Sequence, residues 1–183
     1  MDASVIKPDD LIYYAAASLD GCIAGKDGDV TWLDGFFIPE LGFHNFIKRV
    51  GGLIMGRRTF DKIASFGKWP YGELKGTVAS HGSFDGAFAP AQRAEGAAGN
   101  IYAAAKAHSP GPHWLVGGAD LATQFLSAGL LTRIDLFVIP VLLGGGIPAF
   151  VNTGPERLEL TGSQTYPKGI VRLSYCPSAR PPK

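Results

Sequence analysis

Several short segments of this chain put glycine, arginine, serine or threonine directly after a run of strand-forming residues. That order suits a sheet edge that receives phosphates or flat ligands. In the most distinctive, the apolar run Leu53-Ile54-Met55 is followed at once by Gly56, Arg57, Arg58 and Thr59. A helix starting there would aim unpaired backbone N–H groups at an anion, and a guanidinium matches phosphate oxygens in fork geometry. An exposed basic turn is the plainer reading, but two arginines at the carboxyl end of a strand favour phosphate. Ser18-Leu19-Asp20-Gly21-Cys22-Ile23-Ala24-Gly25 follows the opening strand and reads equally as a turn or as a loop under a ligand. Thr77-Val78-Ala79-Ser80-His81 is a strand ending in polar residues. Trp114-Leu115-Val116 runs into Gly117-Gly118-Ala119-Asp120, which is similar to a dinucleotide turn but lacks GxGxxG spacing. Ligands of open α/β sheets bind outside the carboxyl ends of strands, so these endings point to one groove.

Other chemistries are excluded by their missing patterns. His44, His81, His108 and His113 have no HExxH spacing, and Cys22 and Cys176 form no CxxC pair, so no zinc site is expected. The HxE…PCxxC signature of nucleoside deaminases is absent, as are the GxSxG elbow and the GxxxxGK[ST] phosphate loop. With 183 residues, 46% hydrophobic and 18% charged, the chain reads as one ordinary globular domain over 1–183, with a core of about 10–176. A net charge of +1 provides no field to collect nucleic acid. No apolar run reaches the ~20 residues that span a bilayer. The polar, acidic start is no signal peptide, and two distant cysteines suit a reducing cytoplasm. A cytoplasmic protein with a small-molecule partner, and neither nucleic acid nor membrane, is expected.

The elements that must position these residues follow from the hydrophobic pattern. Strands are expected at Leu11–Ser18, Leu53–Met55, Thr77–Ser80, His113–Val116, Ile134–Leu143, Leu158–Gln164 and Ile170–Tyr175. Most are continuous apolar runs, as in strands covered on both faces. The last two flank Pro167-Lys168-Gly169 and suggest an antiparallel hairpin. A helix is expected from Pro39 through Val50, stopped by Gly51-Gly52; another is capped by Asp120 and closed at Gly129; a third covers Ile101–His108. Residues 1–10 and 177–183 read as frayed tails. The class is α/β: a mostly parallel central sheet, helices on both faces, and a C-terminal antiparallel hairpin.

In this order the segments resemble the three-layer dihydrofolate reductase-like fold. They are more similar still to the reductase domain of the bifunctional riboflavin-biosynthesis deaminase-reductase, in a stand-alone, single-domain form. The matching residues are Ala16 to Ala24, Trp32, Ile54 to Phe60, Val116-Gly117-Gly118-Ala119, and Pro140-Val141-Leu142-Leu143-Gly144-Gly145-Gly146-Ile147-Pro148-Ala149-Phe150. The Gly-Gly-Gly-Ile-Pro stretch separates this branch from true dihydrofolate reductases. The resemblance covers roughly residues 10–176.

The resemblance implies NADPH as cofactor. It places Arg57 on the 2′-phosphate with Ser80 and His81, and Arg58 and Thr59 on the pyrophosphate at the helix start after Gly56. Val116, Gly117, Gly118 and Ala119 would let the cofactor cross the sheet edge, with Ala16, Ile23 and Ala24 beside the nicotinamide. Trp32 and Phe43 would border the substrate. Glu40 and Asp20 are the carboxylates put forward for proton transfer, though the spacing before Glu40 differs from that of dihydrofolate reductases. The chain also lacks the Asp-Pro and Leu-Thr-x-Arg of the riboflavin reductases, carrying Phe60-Asp61-Lys62-Ile63 instead. The implied activity is hydride transfer from NADPH to a C=N or C=O bond of a small heterocyclic or ribosylaminopyrimidine-phosphate-like substrate, as in 5-amino-6-(5-phosphoribosylamino)uracil reductase. Dihydrofolate reduction is the alternative among enzymes, and a silent NADP-binding module the alternative of another class. The apolar segment Phe137–Phe150 suggests a homodimer.

Overall fold

Eight strands form one twisted sheet in the order β5-β4-β3-β6-β1-β7-β10-β9. The computed structural model describes residues 5–84, 87 and 89–178. The strands are β1 (Leu11–Ser18), β3 (Gly52–Gly56), β4 (Lys75–Ala79), β5 (Ala91–Ala94), β6 (His113–Gly117), β7 (Arg133–Ile139), β9 (Leu158–Thr165) and β10 (Val171–Pro177). A short two-stranded ribbon pairs β2 (Cys22–Ala24) with β8 (Ile147–Pro148). From β5 to β7 every pairing is parallel, and β10 then runs antiparallel to both β7 and β9. This is the expected class, and the hairpin turns at Pro167–Gly169, where Lys168 takes a positive φ of 63°.

Apolar strands with both faces covered need helices on both sides, and the chain supplies two pairs. On one face α3 (Ala98–His108) and α4 (Ala119–Ser127) bury Leu11, Tyr13, Ile54 and Leu115 against Ile101, Leu121 and Phe125. On the other, α1 (Phe43–Ile47) and α2 (Arg57–Ala64) cover Ile12, Leu53, Met55 and Val78 with Phe46, Phe60 and Ile63. Burying each such side chain stabilises by roughly 1.5–3 kcal/mol, so these layers hold the edges in register.

Several expectations need correction. The helix expected from Pro39 to Val50 is a single 3-10 turn, Pro39–Leu41, then Gly42 at φ 69°, then the five residues of α1. A left-handed residue cannot continue a right-handed helix, so Gly42 divides it. Gly52 does not lie in the loop but opens β3. Asp120 is no cap: Gly118 holds that position, and Asp120 lies in the first turn, where its negative charge suits the helix dipole. The strand expected through Leu143 ends at Ile139, because Pro140 has no N–H to give the ladder. Pro177 is not frayed; it pairs with Leu158 at the sheet margin. Residues 5–10 are also tied down, through Tyr102 donating to the Asp9 carbonyl and Thr132 to the Asp10 carboxylate. The remaining tail residues, 1–4 and 179–183, lie outside the described residues. Strands β2, β5 and β8 are only two to four residues long, too short for a strand periodicity to show in the sequence.

Candidate active site

Strands β4, β3, β6 and β1 are adjacent and parallel, so Ser80, Gly56, Gly117 and Ser18 end on one edge of the sheet. At its centre the Gly117–Gly118 peptide, which is cis, meets the start of α2. A Cβ built on Gly56 would lie 3.7 Å from the Gly118 nitrogen and 3.9 Å from the Gly117 oxygen. Carbons built on Gly117 and Gly118 would meet only Thr59 Oγ1, at 3.9 and 3.6 Å. Little but a hydroxyl lies over these two glycines. Gly117 also holds φ 138°, which favours glycine whatever the space. An open shelf next to a helix start suits a long flat anion: its backbone can be approached closely, and α2 presents N–H groups beside it.

Arg57 opens α2 and Arg58 beside it is exposed. The Arg57 Nε donates to both carboxylate oxygens of Asp61, at 2.7 and 2.9 Å, and Nη1 donates to the Ser83 carbonyl at 2.7 Å. Its guanidinium stands 5.9 Å from the centre of the Phe84 ring. These contacts fix the fork but use only part of its five donors. Ser80 turns its hydroxyl onto the Gly82 carbonyl, and the His81 carbonyl accepts from Arg93. Arg57 is therefore held against Ser83 and Phe84, one step beyond the Ser80-His81 pair. A shallow cavity of about 260 Å³ lined by Ser83, Phe84, Ala91 and Arg93 opens beside it. Neither Ser83 nor Phe84 stands out in the sequence, because the loop carrying them has no motif.

Asp20 ties the loop after β1 to the glycine-rich stretch after β7. Its carboxylate accepts from Ser18 Oγ at 2.6 Å and from the Leu143 and Gly144 N–H groups at 3.1 and 2.8 Å. The Ser18 hydroxyl, then the Leu143 amide, hold its pKa below the ordinary aspartate value. Nearby, a Cβ on Gly146 would sit 2.2 Å from the Ala24 carbonyl oxygen, so only glycine lets these strands touch. Ala24 is buried, while Ala16 and Ile23 are half-buried. Glu40 occupies the exposed side of the Pro39–Leu41 turn. Both carboxylates are exposed, but that of Asp20 is engaged in the staple.

Beyond β1 the same face becomes aromatic and then polar. The Tyr14 ring stacks on Phe46 at 4.1 Å and lies 4.7 Å from Phe137, with Phe43 and Trp114 each at 6.1 Å. Trp32, in the turn Thr31–Leu33, packs into the cluster of Phe137, Ile139 and Ile170, and its Nε1 is buried without a hydrogen-bond partner. Register then puts Asp135 beside Tyr14 and Ser174 beside Asp135. Asp135, 2% exposed, binds Arg133 at 2.8 Å and accepts from Ser174 Oγ. Burial, then the Asp135 charge, push the Tyr14 phenol well above its ordinary pKa, so it stays protonated. None of these polar residues has a sequence signal; strand register alone assembles them. Among the described residues there is no cluster of His, Cys, Asp or Glu able to hold a metal, and no helix long and apolar enough to cross a membrane.

Known proteins share this fold. Residues 102–172 match the family model of the RibD C-terminal domain. The uncharacterized protein YwjB of Bacillus subtilis (strain 168) is 31% identical over 173 residues, covering 90% of this chain and 95% of its own length. The chain belongs to the RibD C-terminal domain family. A crystal structure from Shewanella sp. PV-4, named for riboflavin biosynthesis, superposes with a TM-score of 0.82 at 29% identity, over 93% of this chain and 99% of that one. Dihydrofolate reductase from Enterococcus faecalis, complexed with NADP(H), gives a TM-score of 0.69 at 16% identity, over 96% and 100% of the two chains. That second likeness gives the fold, which is dihydrofolate reductase-like. In this chain the helix cap at Gly118 and the staple at Asp20 belong to the same carboxyl edge that the four strand endings marked.

Proposed function

We propose that this chain is an NADPH-dependent reductase that passes a hydride to a C=N or C=O bond of a small heterocyclic substrate, of the ribosylaminopyrimidine-phosphate class. The observation that carries the reading is the open Gly117–Gly118 shelf between Gly56 and Thr59, with Arg57 at its end. Family membership and the NADP(H)-bound relative of the same fold support the choice of cofactor.

NADPH, when bound, supplies the hydride. The chain supplies position and charge. Arg57 meets the 2′-phosphate, with Ser80 and His81 at the neighbouring strand end, while Arg58 and Thr59 meet the pyrophosphate at the start of α2. Gly117 and Gly118 admit the cofactor over the edge, between Val116 and Ala119. Ala16, Ile23 and Ala24 flank the nicotinamide, and the Asp20 staple keeps the Gly144–Gly146 loop against them. Trp32 and Phe43 wall the substrate side and exclude water from the transfer. Glu40, exposed at the rim, is the carboxyl group that exchanges protons with solvent; Asp20, ionised and saturated with donors, serves as a positioning group.

The direct test follows NADPH oxidation at its absorbance band against ribosylaminopyrimidine phosphates and dihydrofolate. Turnover of the pyrimidines is expected. Turnover of dihydrofolate alone would replace the substrate class, and NADPH binding without any turnover would reduce the protein to a binding module. We also propose a homodimer, on altered grounds. Phe137, Ile139 and Ala149 are buried within the subunit, so the segment Phe137–Phe150 as a whole cannot be the contact. The exposed leucines are Leu19, Leu142, and Leu158 and Leu160 on the edge strand β9. Sedimentation at a mass near 19.3 kDa would refute the dimer.

A further inference from the structure

The polar face beyond Tyr14 holds more cation than the protein itself uses. Residues paired across neighbouring strands share a face, so Tyr14, Asp135 and Ser174 lie in one row and Ala16, Phe137 and Arg172 in the next. Gln164 extends the second row onto β9. Two guanidiniums, Arg133 and Arg172, thus stand on this face with the single carboxylate of Asp135. That carboxylate is fully taken, by Arg133 on one oxygen and Ser174 on the other. Arg172 has no acidic partner among the described residues. Its Nη2 rests on the Gln164 side-chain oxygen at 3.2 Å, and the Tyr166 hydroxyl donates to that same oxygen at 2.9 Å. The Arg172 Nε is buried with no acceptor at all, as are Arg133 Nε and Trp32 Nε1. A buried N–H left without an acceptor is destabilising, more so when the group is charged. Arg172 itself is only half-buried, and its terminal Nη groups are the donors open to an acceptor from outside the chain.

We propose that Arg172 anchors an anionic oxygen group, a carboxylate or a phosphate, carried by a planar-ring substrate that lies against the half-buried Tyr14 and Trp32. Their aromatic rims supply an apolar border for the ring. Gln164, itself bonded by Tyr166, holds the guanidinium through Nη2 and leaves Nη1 for the anion. Asp135 does not compete, because Arg133 neutralises it. Arg172 then acts as a specificity-determining residue on the side of the pocket away from Arg57. This deepens the reductase reading and rests on it, since it takes this face as the substrate side.

The test uses two pairs of probes that differ only in the anion: orotate against uracil for a carboxylate, and phenyl phosphate against phenol for a phosphate. Each is titrated into the full-length protein by calorimetry, with and without saturating NADP+. For at least one pair the anionic member should bind more tightly, by on the order of 10- to 100-fold, the range of a charge-assisted hydrogen bond. Which pair shows the difference names the anion. R172Q should erase the difference while leaving the neutral probe, NADPH affinity and the melting temperature unchanged, and R172K should retain part of it. Should R172Q fold poorly, Q164A keeps the charge, loosens the guanidinium and should reduce the preference by a smaller factor. Equal affinity for both members of both pairs, a preference that survives in R172Q, or no saturable anion binding at millimolar concentration would overturn the proposal. Anion binding that depends on Arg172 but is indifferent to NADP+, with NADPH itself failing to bind, would instead sink the reductase reading and leave the anion site standing.

Discussion

Two arginine–aspartate pairs of almost equal length sit in opposite halves of the sheet, Arg57–Asp61 at 2.7 Å and Arg133–Asp135 at 2.8 Å. Their side chains are 40% and 52% exposed in the first pair, and 11% and 2% in the second. The same chemistry therefore does different work. In water the Arg57 pair is a weak clasp that a ligand phosphate can share or displace. Inside the sheet the Arg133 pair has no water to fall back on, so it is part of the frame on which Tyr14 and Arg172 stand. The parallel half offers its arginine to a cofactor; the antiparallel half locks one arginine and leaves another, Arg172, without a counter-charge.

The largest effect expected from this contrast is on stability. Asp135→Ala strands the Arg133 guanidinium in the interior and should cost about 3–5 kcal/mol in urea unfolding. Replacing both, as Arg133→Met with Asp135→Leu, should recover most of that loss. A cost for Asp135→Ala below about 1 kcal/mol would mean that the two pairs are equivalent after all.

Next comes Gly118→Val, placed where the protein leaves room and the cofactor would not. Overpacking against a ligand costs about 1–3 kcal/mol, so NADPH affinity should fall by roughly ten- to a hundredfold. The melting temperature should move far less than in Asp135→Ala. Unchanged NADPH affinity in a folded Gly118→Val protein would show that the shelf is not the cofactor path.

Smaller changes sharpen the picture. Asp61→Ala should alter stability by less than about 1 kcal/mol, as for other exposed pairs. It should also raise the NADPH-to-NADH preference, because a carboxylate beside the phosphate is removed; a fall in that preference would make Asp61 an indispensable support for Arg57. Least of all in energy, Asp20→Asn should speed amide exchange at Leu143 and Gly144, measured by NMR at neutral pH. The Asp20 carboxyl is depressed in the folded chain, so its contribution is present above the unfolded pKa and lost as pH falls through the folded one. Mutant and wild type should converge in acid, and identical exchange at neutral pH would dissolve the staple.

The two halves are also unequally legible in the sequence. Gly56 to Thr59 and Val116 to Ala119 are contiguous strings, so the residue order alone places the parallel edge. Bringing them together needs only the rule that sheet ligands gather at the carboxyl ends of strands. Tyr14, Asp135, Ser174 and Arg172 are single residues on three strands, joined by register, and no spacing along the chain relates them. The helix expected after Pro39 breaks because Gly42 takes a left-handed turn inside an otherwise helical apolar pattern. Asp20 is legible as a loop carboxylate, but the amides that saturate it come from residues 143 and 144, far along the chain.

The account stands most directly on Arg57 as the reader of the cofactor. Titrating NADPH and NADH by fluorescence quenching into the wild type, Arg57→Ala and Arg58→Ala measures that role without any substrate. A charge-assisted hydrogen bond is worth about 1.5–3 kcal/mol, and Arg57 is partly exposed and shared with Asp61, so the lower part of that range applies. Arg57→Ala should therefore weaken NADPH by on the order of tenfold and leave NADH nearly unchanged. The wild-type preference should shrink as salt rises, and Arg58→Ala should weaken both cofactors alike. Equal losses for NADPH and NADH in Arg57→Ala would contradict the assignment.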